Sequence, residues 1–401
     1  MDIAVSCHPG RDRSAPAKPR SANKVARLEV FEDMAAAEPV WRSLEDGRAL
    51  ATPYQRFELL AAWQAHVGAR TGVAPFIVAG FDHAGEPLFL WPFGRTQKGA
   101  LKVVHFLGSK HANFNVGLWR RDAAAALTVS DLRDIFQRVG QAGVDLFALL
   151  SQPHAWDGIA NPFGLLPHQP SVDMSARLSL ANAGDDDADR GLTRSMRSRL
   201  RGKERKLQIL DGYRYVRAAS AEEIDRLLER FLTLKSRHMA AQGLVNVFAE
   251  AGVAEFLRHA CHRKLADGRP LIEIHALEGG GDVLALFGAT VDDYRFSSMF
   301  NTYTLGEHAR HSPGLVLLMH MVADCAGRGV RSFDIGVGRA HYKSFFCREG
   351  EPLFDTFLPV TPRGRIGAAA FGLAFATKRV IKQNRTLWAA VQTLRRIGAR
   401  G

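Results

Sequence analysis

The sequence predicts an α/β chain, of the α+β type in its sheets, with two lobes that are each a mixed, mostly antiparallel sheet flanked by helices. Three observations predict this. The 401 residues exceed what one core usually supports, and an apolar fraction of 46% is ordinary for a globular chain. Short runs of period-2 apolar residues alternate with longer runs of helical period in both halves. Between the halves the charge reverses abruptly, from Asp185-Asp186-Asp187 and Asp189 to an arginine-rich stretch ending at Leu207.

Residues 1–24, with Pro9, Pro16 and Pro19 among arginines and no apolar h-region, read as a disordered basic tail and not as a signal peptide. The first lobe, 25–175, opens with a strand at Ala26–Phe31 and a helix at Phe57–His66. Strands follow at Ala74–Asp82, Pro87–Arg95 and Leu101–Leu107. Ser130-Asp131 cap a helix over Leu132–Ala142, and Asp145–Leu150 is again strand-like.

The second lobe, 176–361, repeats the alternation. Its first helix carries Leu192, Met196, Leu200 and Leu207 at near-helical spacing, so one stripe packs while Arg194, Arg197, Arg201 and Arg205 face outward. That outward face is either a solvated charged surface or a set of guanidinium forks for phosphates of a donor or an anionic acceptor. The preceding acidic run complements a helix start, with metal binding as the alternative. Helices at Ala221–Gln242 and Ala251–Ala266 precede strands at Leu271–Leu277, Val283–Val291 and Tyr294–Tyr303, joined by turns at Gly279–Asp282 and Asp292-Asp293.

The segment from Tyr303 to Phe346 carries the chemistry. Ser312 stands where an N-cap belongs, Pro313 suits the first helical turn, and Gly314 lets an anion approach before Leu315 begins an apolar run. Coenzyme A carries a diphosphate of the kind such a helix start binds. Gly327 and Gly329 end that helix, and Arg331–Ile335 is a strand with Phe333 and Ile335 on one face and Asp334 on the other. Gly336 and Gly338 allow a turn, and Lys343 follows between Tyr342 and Phe345-Phe346, its ammonium held beside a cleft by aromatic packing. The glycine pair lacks the third glycine of a dinucleotide fingerprint, which excludes a Rossmann site.

These residues resemble the GNAT-fold N-acyltransferases of the BioF2-like and CelD-like (cellulose biosynthesis) group, related to the Fem aminoacyltransferases. The resemblance rests on Tyr303, on Ser312-Pro313-Gly314 with its Leu-rich helix, on Phe333-Asp334-Ile335-Gly336 with Gly338, on Tyr342-Lys343 with Phe346, and on the arginine-rich segment from Arg194 to Leu207. It covers about residues 190–360. The usual pyrophosphate loop of simple GNAT enzymes is only approximated, by Arg310-His311-Ser312-Pro313-Gly314.

The resemblance implies tandem GNAT-like lobes with the acyl-transfer site in the second. It also implies acetyl-CoA or another acyl-CoA as co-substrate, no metal, and Lys343 near the reaction centre. Ser312, Gly314, Leu315, Gly336 and Gly338 would hold the donor, and Arg194, Arg197 and Arg201 the substrate. Lys343 would steady negative charge, and Tyr303 or Tyr342 would protonate the leaving group. Asp334 or His341 would receive the amine proton, unless Asp334 instead fixes the glycine loop. The acceptor is expected to be an amine, on an amino sugar or a cell-envelope or exopolysaccharide precursor. Fem-like transfer from aminoacyl-tRNA, and a non-catalytic role in polysaccharide assembly, stand as alternatives.

Other function classes find less support. The net charge of +12 permits nucleic-acid binding, but no recognisable nucleic-acid-binding signature accompanies it. His259-x-x-His262 and His308-x-x-His311 lack further ligands for zinc, and no G-x-S-x-G elbow occurs. Scattered cysteines and the missing export signal point to the cytoplasm. The tail, 362–401, mixes Phe371, Phe375 and Val380 with Lys378, Arg379 and Lys382. It either docks as an amphipathic helix on the inner, anionic membrane face or packs back on the catalytic lobe.

Overall fold

A computed structural model describes residues 25–45, 49–180, 192–338, 341–347, 350–384, 386–388 and 391. The acidic run at 185–189, the 1–24 tail and the whole chain beyond 391 lie outside the described residues. The first half runs β1 (Arg27–Phe31), α1 (Met34–Leu44), β2 (Ala49–Leu50), α2 (Phe57–Trp63), β3 (Ala74–Phe81), β4 (Pro87–Lys98), β5 (Leu101–Phe106) and β6 (Leu118–Arg120). It continues with α3 (Arg121–Ala126), α4 (Val129–Gly140), β7 (Leu146–Pro153), a small hairpin β8 (Ala155–Trp156) and β9 (Ile159–Ala160), and β10 (Gln169–Ser179).

The second half runs α5 (Arg194–Leu207), β11 (Arg214–Arg217), α6 (Ala221–Ala241), α7 (Val253–His262), β12 (Glu273–Gly279), β13 (Asp282–Val291), β14 (Arg295–Tyr303), α8 (Pro313–Gly327), β15 (Ser332–Val337), β16 (Gly350–Pro359) and α9 (Pro362–Gln383). With β2, β6 and α3 of the first half and α5 of the second set aside, both halves follow one order: a strand, two helices, an antiparallel meander, a helix and a strand parallel to the meander's last member.

Those parallel pairs are short. Val103 and Val104 of β5 face Leu146 and Phe147 of β7, and Arg295, Phe296 and Ser297 of β14 face Ser332, Phe333 and Asp334 of β15. The remaining strand pairings among the described residues are antiparallel. The halves then exchange their last strands. Strand β10 pairs with β15, β16 pairs with β7, and β10 and β16 pair with each other, so one sheet runs β1-β3-β4-β5-β7-β16-β10-β15-β14-β13-β12-β11. Residue 175, where the sequence was divided into lobes, lies within β10.

Local chemistry sets most boundaries. Thr128, and not Ser130, caps α4: its hydroxyl accepts from the Asp131 amide while the Asp131 carboxylate accepts from the Thr128 amide. Ser220 and Glu223 form the same reciprocal cap on α6. Helix α7 starts later than the sequence predicts because Gly252 takes φ +85°, where a Cβ would lie 1.8 Å from the His66 carbonyl oxygen. Helix α9 begins at Pro362 with Thr361 as cap and lies on β5, β7, β10 and β16.

The seam between the halves contains a fully buried cation. Arg295 donates to both carboxylate oxygens of Glu351, at 2.7 and 3.1 Å, and its guanidinium lies 4.1 Å from the ring centroid of Trp156 in the first half. Removing one partner of a buried pair leaves the other charge desolvated. Glu351→Ala is therefore expected to destabilise the protein by about 3–5 kcal/mol, read as a lower urea midpoint; an unchanged midpoint would contradict this account of the seam.

Candidate functional site

The site forms where β14 and β15 part. After Ser297 and Asp334 the ladder stops, and side chains take over the groups that would have continued it. The Ser298 carbonyl of β14 accepts from the Tyr54 hydroxyl at 3.0 Å and from the Asn113 amide at 2.5 Å, both from the first half. On β15 the Gly336 N–H donates to Asp334 Oδ1 at 2.8 Å, and Ser175 Oγ donates to the same oxygen at 2.5 Å. Buried backbone groups need partners, and here they find them without zipping the strands. Gly336 leaves the strand at φ +92°, with Asn113 Nδ2 3.4 Å from where a Cβ would stand. Gly338 follows at φ +97°, and its amide donates to the Met174 carbonyl at 3.0 Å.

Lys343 returns to this turn. Its ammonium donates to the Gly336 carbonyl at 2.7 Å and the Val337 carbonyl at 3.0 Å, so carbonyl oxygens hold it where the sequence suggested aromatic packing. Burial pulls its pKa below the usual lysine value, opposed by Asp334, Cys347 and Asp173. Burial also raises the carboxyl of Asp334, against the pull of Arg295, Ser175, the Gly336 amide and Lys343. Asp334 is fully buried, and its two Oδ1 bonds brace the turn. Tyr342, pushed up to about 12 by burial, has its hydroxyl 3.5 Å from Asn301 Nδ2.

The start of α8 lies against the end of β14, where Tyr303 stands. Ser312 occupies the cap position in the left-handed region, φ 52° and ψ 54°, and its hydroxyl caps no backbone amide. It accepts instead from Lys203 of α5 at 2.6 Å, and this is the correction to the N-cap expected from sequence. The Ser312 carbonyl takes the Leu315 and Val316 amides, while the Gly314 amide has no partner among the described residues. A Cβ on Gly314 would meet only Tyr303, at 3.8 Å, an ordinary contact, so the fold itself does not demand glycine there.

Cations ring this helix start. His311 is held below the usual imidazole range, first by partial burial and then by Arg310, Lys206, His308 and Lys203; Lys203 is itself lowered by burial and by Arg199. The arginine-rich helix thus reaches the site through Lys203. Arg194, Arg197 and Arg201 lie further along: Arg197 and Arg201 line a cavity of about 190 Å³ with Met319, His320, Ala323 and Phe346, and all three border a groove of about 610 Å³ along α5. Met319 is six residues past Pro313, about 9 Å along the helix. These arginines therefore do not converge on Gly314.

Sequence reasoning missed the opposite wall. Tyr303, 40% exposed, stands at the end of β14 with its ring edge-on to His238 of α6 at 4.3 Å. One turn earlier on α6, Lys235 donates to the Asn301 carbonyl at 3.0 Å. Burial lowers Lys235 to about 8, and burial with the Lys235 charge lowers His238. Two proton-accepting groups at i and i+3 thus share the helix face beside Tyr303. Only that spacing marked them in the sequence, and many surface helices share it. The other histidines flagged by spacing are otherwise engaged, His262 with Asp225 at 2.8 Å and His259 beside His66 at 3.4 Å. Among the described residues no group of His, Cys, Asp and Glu could hold a metal ion.

The start of α8, Lys235 and His238 thus gather at the end of β14, with the Gly336 turn on the neighbouring strand. Residues 194–344 match the acetyltransferase (GNAT) domain family. At the level of the fold, the chain is similar to a domain described as the C-terminal part (DUF2156) of a lysylphosphatidylglycerol synthetase from Agrobacterium fabrum. The two share 11% identity, with a TM-score of 0.52 over 86% of this chain and 97% of that one. It is similar to the crystal structure of FemX to the same degree, 11% identity and a TM-score of 0.52, over 85% of this chain and all of that one (100%). No curated protein sequence matches the chain. The GNAT match covers the α5–α8 site and reaches the Lys343 turn.

Lys235 gives the site a pH signature. Its folded value of about 8 lies below the 10.5 of a free lysine, so the cost of burying the cation is present in full below about pH 8 and fades as pH rises towards 10.5. Lys235→Met is expected to gain stability over the parent at about pH 6, and to lose on the order of 1–3 kcal/mol of that advantage by about pH 10. Urea unfolding at both pH values checks this, and a pH-independent difference would contradict it.

Proposed function

We propose that the chain is an N-acyltransferase that moves an acyl group from an acyl-CoA to an amine. The observation that carries this reading is the start of α8 at the end of β14, where the Gly314 amide has no partner among the described residues and Lys203 stands beside Ser312. A helix N-terminus, a close-approach glycine and surrounding cations suit a diphosphate. The split beyond it suits an extended thioester arm.

In this mechanism the amine nitrogen attacks the thioester carbonyl carbon, the carbonyl oxygen takes up negative charge, and the carbon–sulfur bond then breaks. The sulfur leaves as a thiolate and takes a proton from the hydroxyl of Tyr303 or, less directly, Tyr342. The attacking nitrogen gives its proton to Lys235 or His238. Lys343 acts on the oxyanion through the turn it holds at Gly336 and Val337. Holding donor and acceptor on the two sides of Tyr303 supplies much of the rate. The acceptor we assign to this reading is an amino sugar or a cell-envelope precursor, as in the CelD-like group.

A second reading is transfer from an aminoacyl-tRNA. It is favoured by the exposed basic surface of α5, where Arg194, Arg201 and Arg205 border the same groove, and by the similarity in fold to the Agrobacterium lysylphosphatidylglycerol synthetase domain. The two readings differ in salt dependence, because binding RNA releases many counterions.

Calorimetric titration with acetyl-CoA and longer acyl-CoAs is expected to show saturable binding that Gly314→Glu abolishes and Gly314→Ala retains. In a working assay Lys343→Ala is expected to lower turnover about 100-fold, the scale of shifting a positioned backbone by about 1 Å. The acyl-CoA reading fails if no CoA ester binds; steeply salt-dependent binding of aminoacyl-tRNA would then favour the second.

With Lys235 as proton acceptor, kcat/KM should rise with pH to a plateau above about 8, and Lys235→Met should remove that rise. A profile unchanged in the variant would exclude Lys235 from proton transfer.

A further inference from the structure

Helix α9 has two apolar faces, and only one is covered. On the inner face a Cβ at Gly364 would lie 1.8 Å from the Asp145 carbonyl oxygen, and the Phe371 and Phe357 ring centroids are 6.0 Å apart. On the outer face Ile366 is 76% exposed, Leu373 71% and Val380 56%, with Ala370 and Thr377 between them at helical spacing. Leu387, 44% exposed, continues the interval of seven past the end of the helix. Single exposed apolar residues need no explanation, but a line of them does.

The charges on the helix itself have one sign. From Pro362 to Gln383 the helix carries five basic residues and no acidic one. Arg363 and Lys378 flank the stripe on one side, Arg365 and Arg379 on the other, as the helical repeat dictates. Arg363, Arg365 and Lys378 are exposed, and Lys98 from the β4–β5 hairpin adds to the same edge, 5.3 Å from the Phe371 ring centroid. Among the described residues no helix is long and apolar enough to cross a membrane.

We propose that the outer face of α9 seats the protein on an anionic lipid bilayer, with the stripe from Ile366 to Val380 entering the headgroup layer and the basic flanks meeting lipid phosphates. Charge selects this occupant over a second copy of the chain, since pairing α9 with itself would set basic flanks against basic flanks with no acidic residue on either helix. On its covered side, opposite the docked stripe, α9 adjoins the site. Lys382 binds Asp173 at 2.7 Å, and Asp173 Oδ1 lies 4.0 Å from where a Cβ of Gly338 would stand. The end of α9 is thus tied through one carboxylate to the turn that Lys343 holds. The docking is independent of which donor the site uses.

The test is co-sedimentation of the full chain with phosphatidylcholine vesicles, with and without phosphatidylglycerol, a readout that involves no activity. Binding is expected to the anionic vesicles only, to weaken with salt, and to fall at least about tenfold in the triple variant Ile366→Asp, Leu373→Asp, Val380→Asp. Arg363→Glu with Lys378→Glu should also weaken it. The replaced side chains are solvent-facing, so an unchanged thermal midpoint verifies that each variant is folded. The proposal is overturned if the full chain ignores anionic vesicles, if the folded triple variant binds as well as the parent, or if the parent is a dimer in solution that the triple variant splits.

Discussion

The site depends on an interrupted ladder. Strands β14 and β15 run parallel for three residue pairs and then separate, and the separation persists because each strand's next backbone group already has a partner. Tyr54 and Asn113 satisfy the Ser298 carbonyl from the first half, while Asp334 satisfies the Gly336 amide from within its own strand. Closing the split would exchange these bonds for ladder bonds and would have to displace Asp334, a buried carboxyl already tied to Ser175. Hydrogen bonds from the first half and from Asp334 Oδ1 therefore keep an opening in the middle of a continuous sheet.

This explains why the two halves form one unit. The first half supplies Tyr54 and Asn113 to the split, Ser175 on β10 to Asp334, and Trp156 to the face of Arg295. The last strand of the second half, β16, supplies Glu351 to Arg295 and itself pairs with β7. The first half repeats the strand order and the short parallel pair, but there Phe163 packs among Phe93, Phe106 and Phe136. Polar groups brace the split of the second half, and an aromatic cluster backs that of the first.

Much of the fold was legible locally. The period-2 runs of β3, β4, β5, β13 and β14, the helix from Ala221 and the Leu192–Leu200–Leu207 stripe all follow from neighbours within a few residues. The exchange of β10 and β16 was not legible, because pairing across more than a hundred residues leaves no local signature. Within the site, the glycine turn and the start of α8 were visible, since Gly336, Gly338, Pro313 and Gly314 each restrict or free the backbone. The left-handed Ser312, its bond to Lys203 and the facing Lys235 and His238 were not, because each arises from the approach of helices α5 and α6 to β14 and α8. The arginines that stood out by composition lie mainly on the flank of α8, and a less conspicuous lysine in the same helix reaches the start of α8.

The central claim, that the start of α8 and the glycine turn bind the phosphorylated donor, is tested most directly by amide hydrogen exchange with and without acetyl-CoA. The account predicts added protection of the Gly314 amide at the helix start and of the Gly336–Gly338 turn, with the aromatic core of the first half unchanged. Binding that protects the groove along α5 and leaves Gly314 exchanging as before would contradict it.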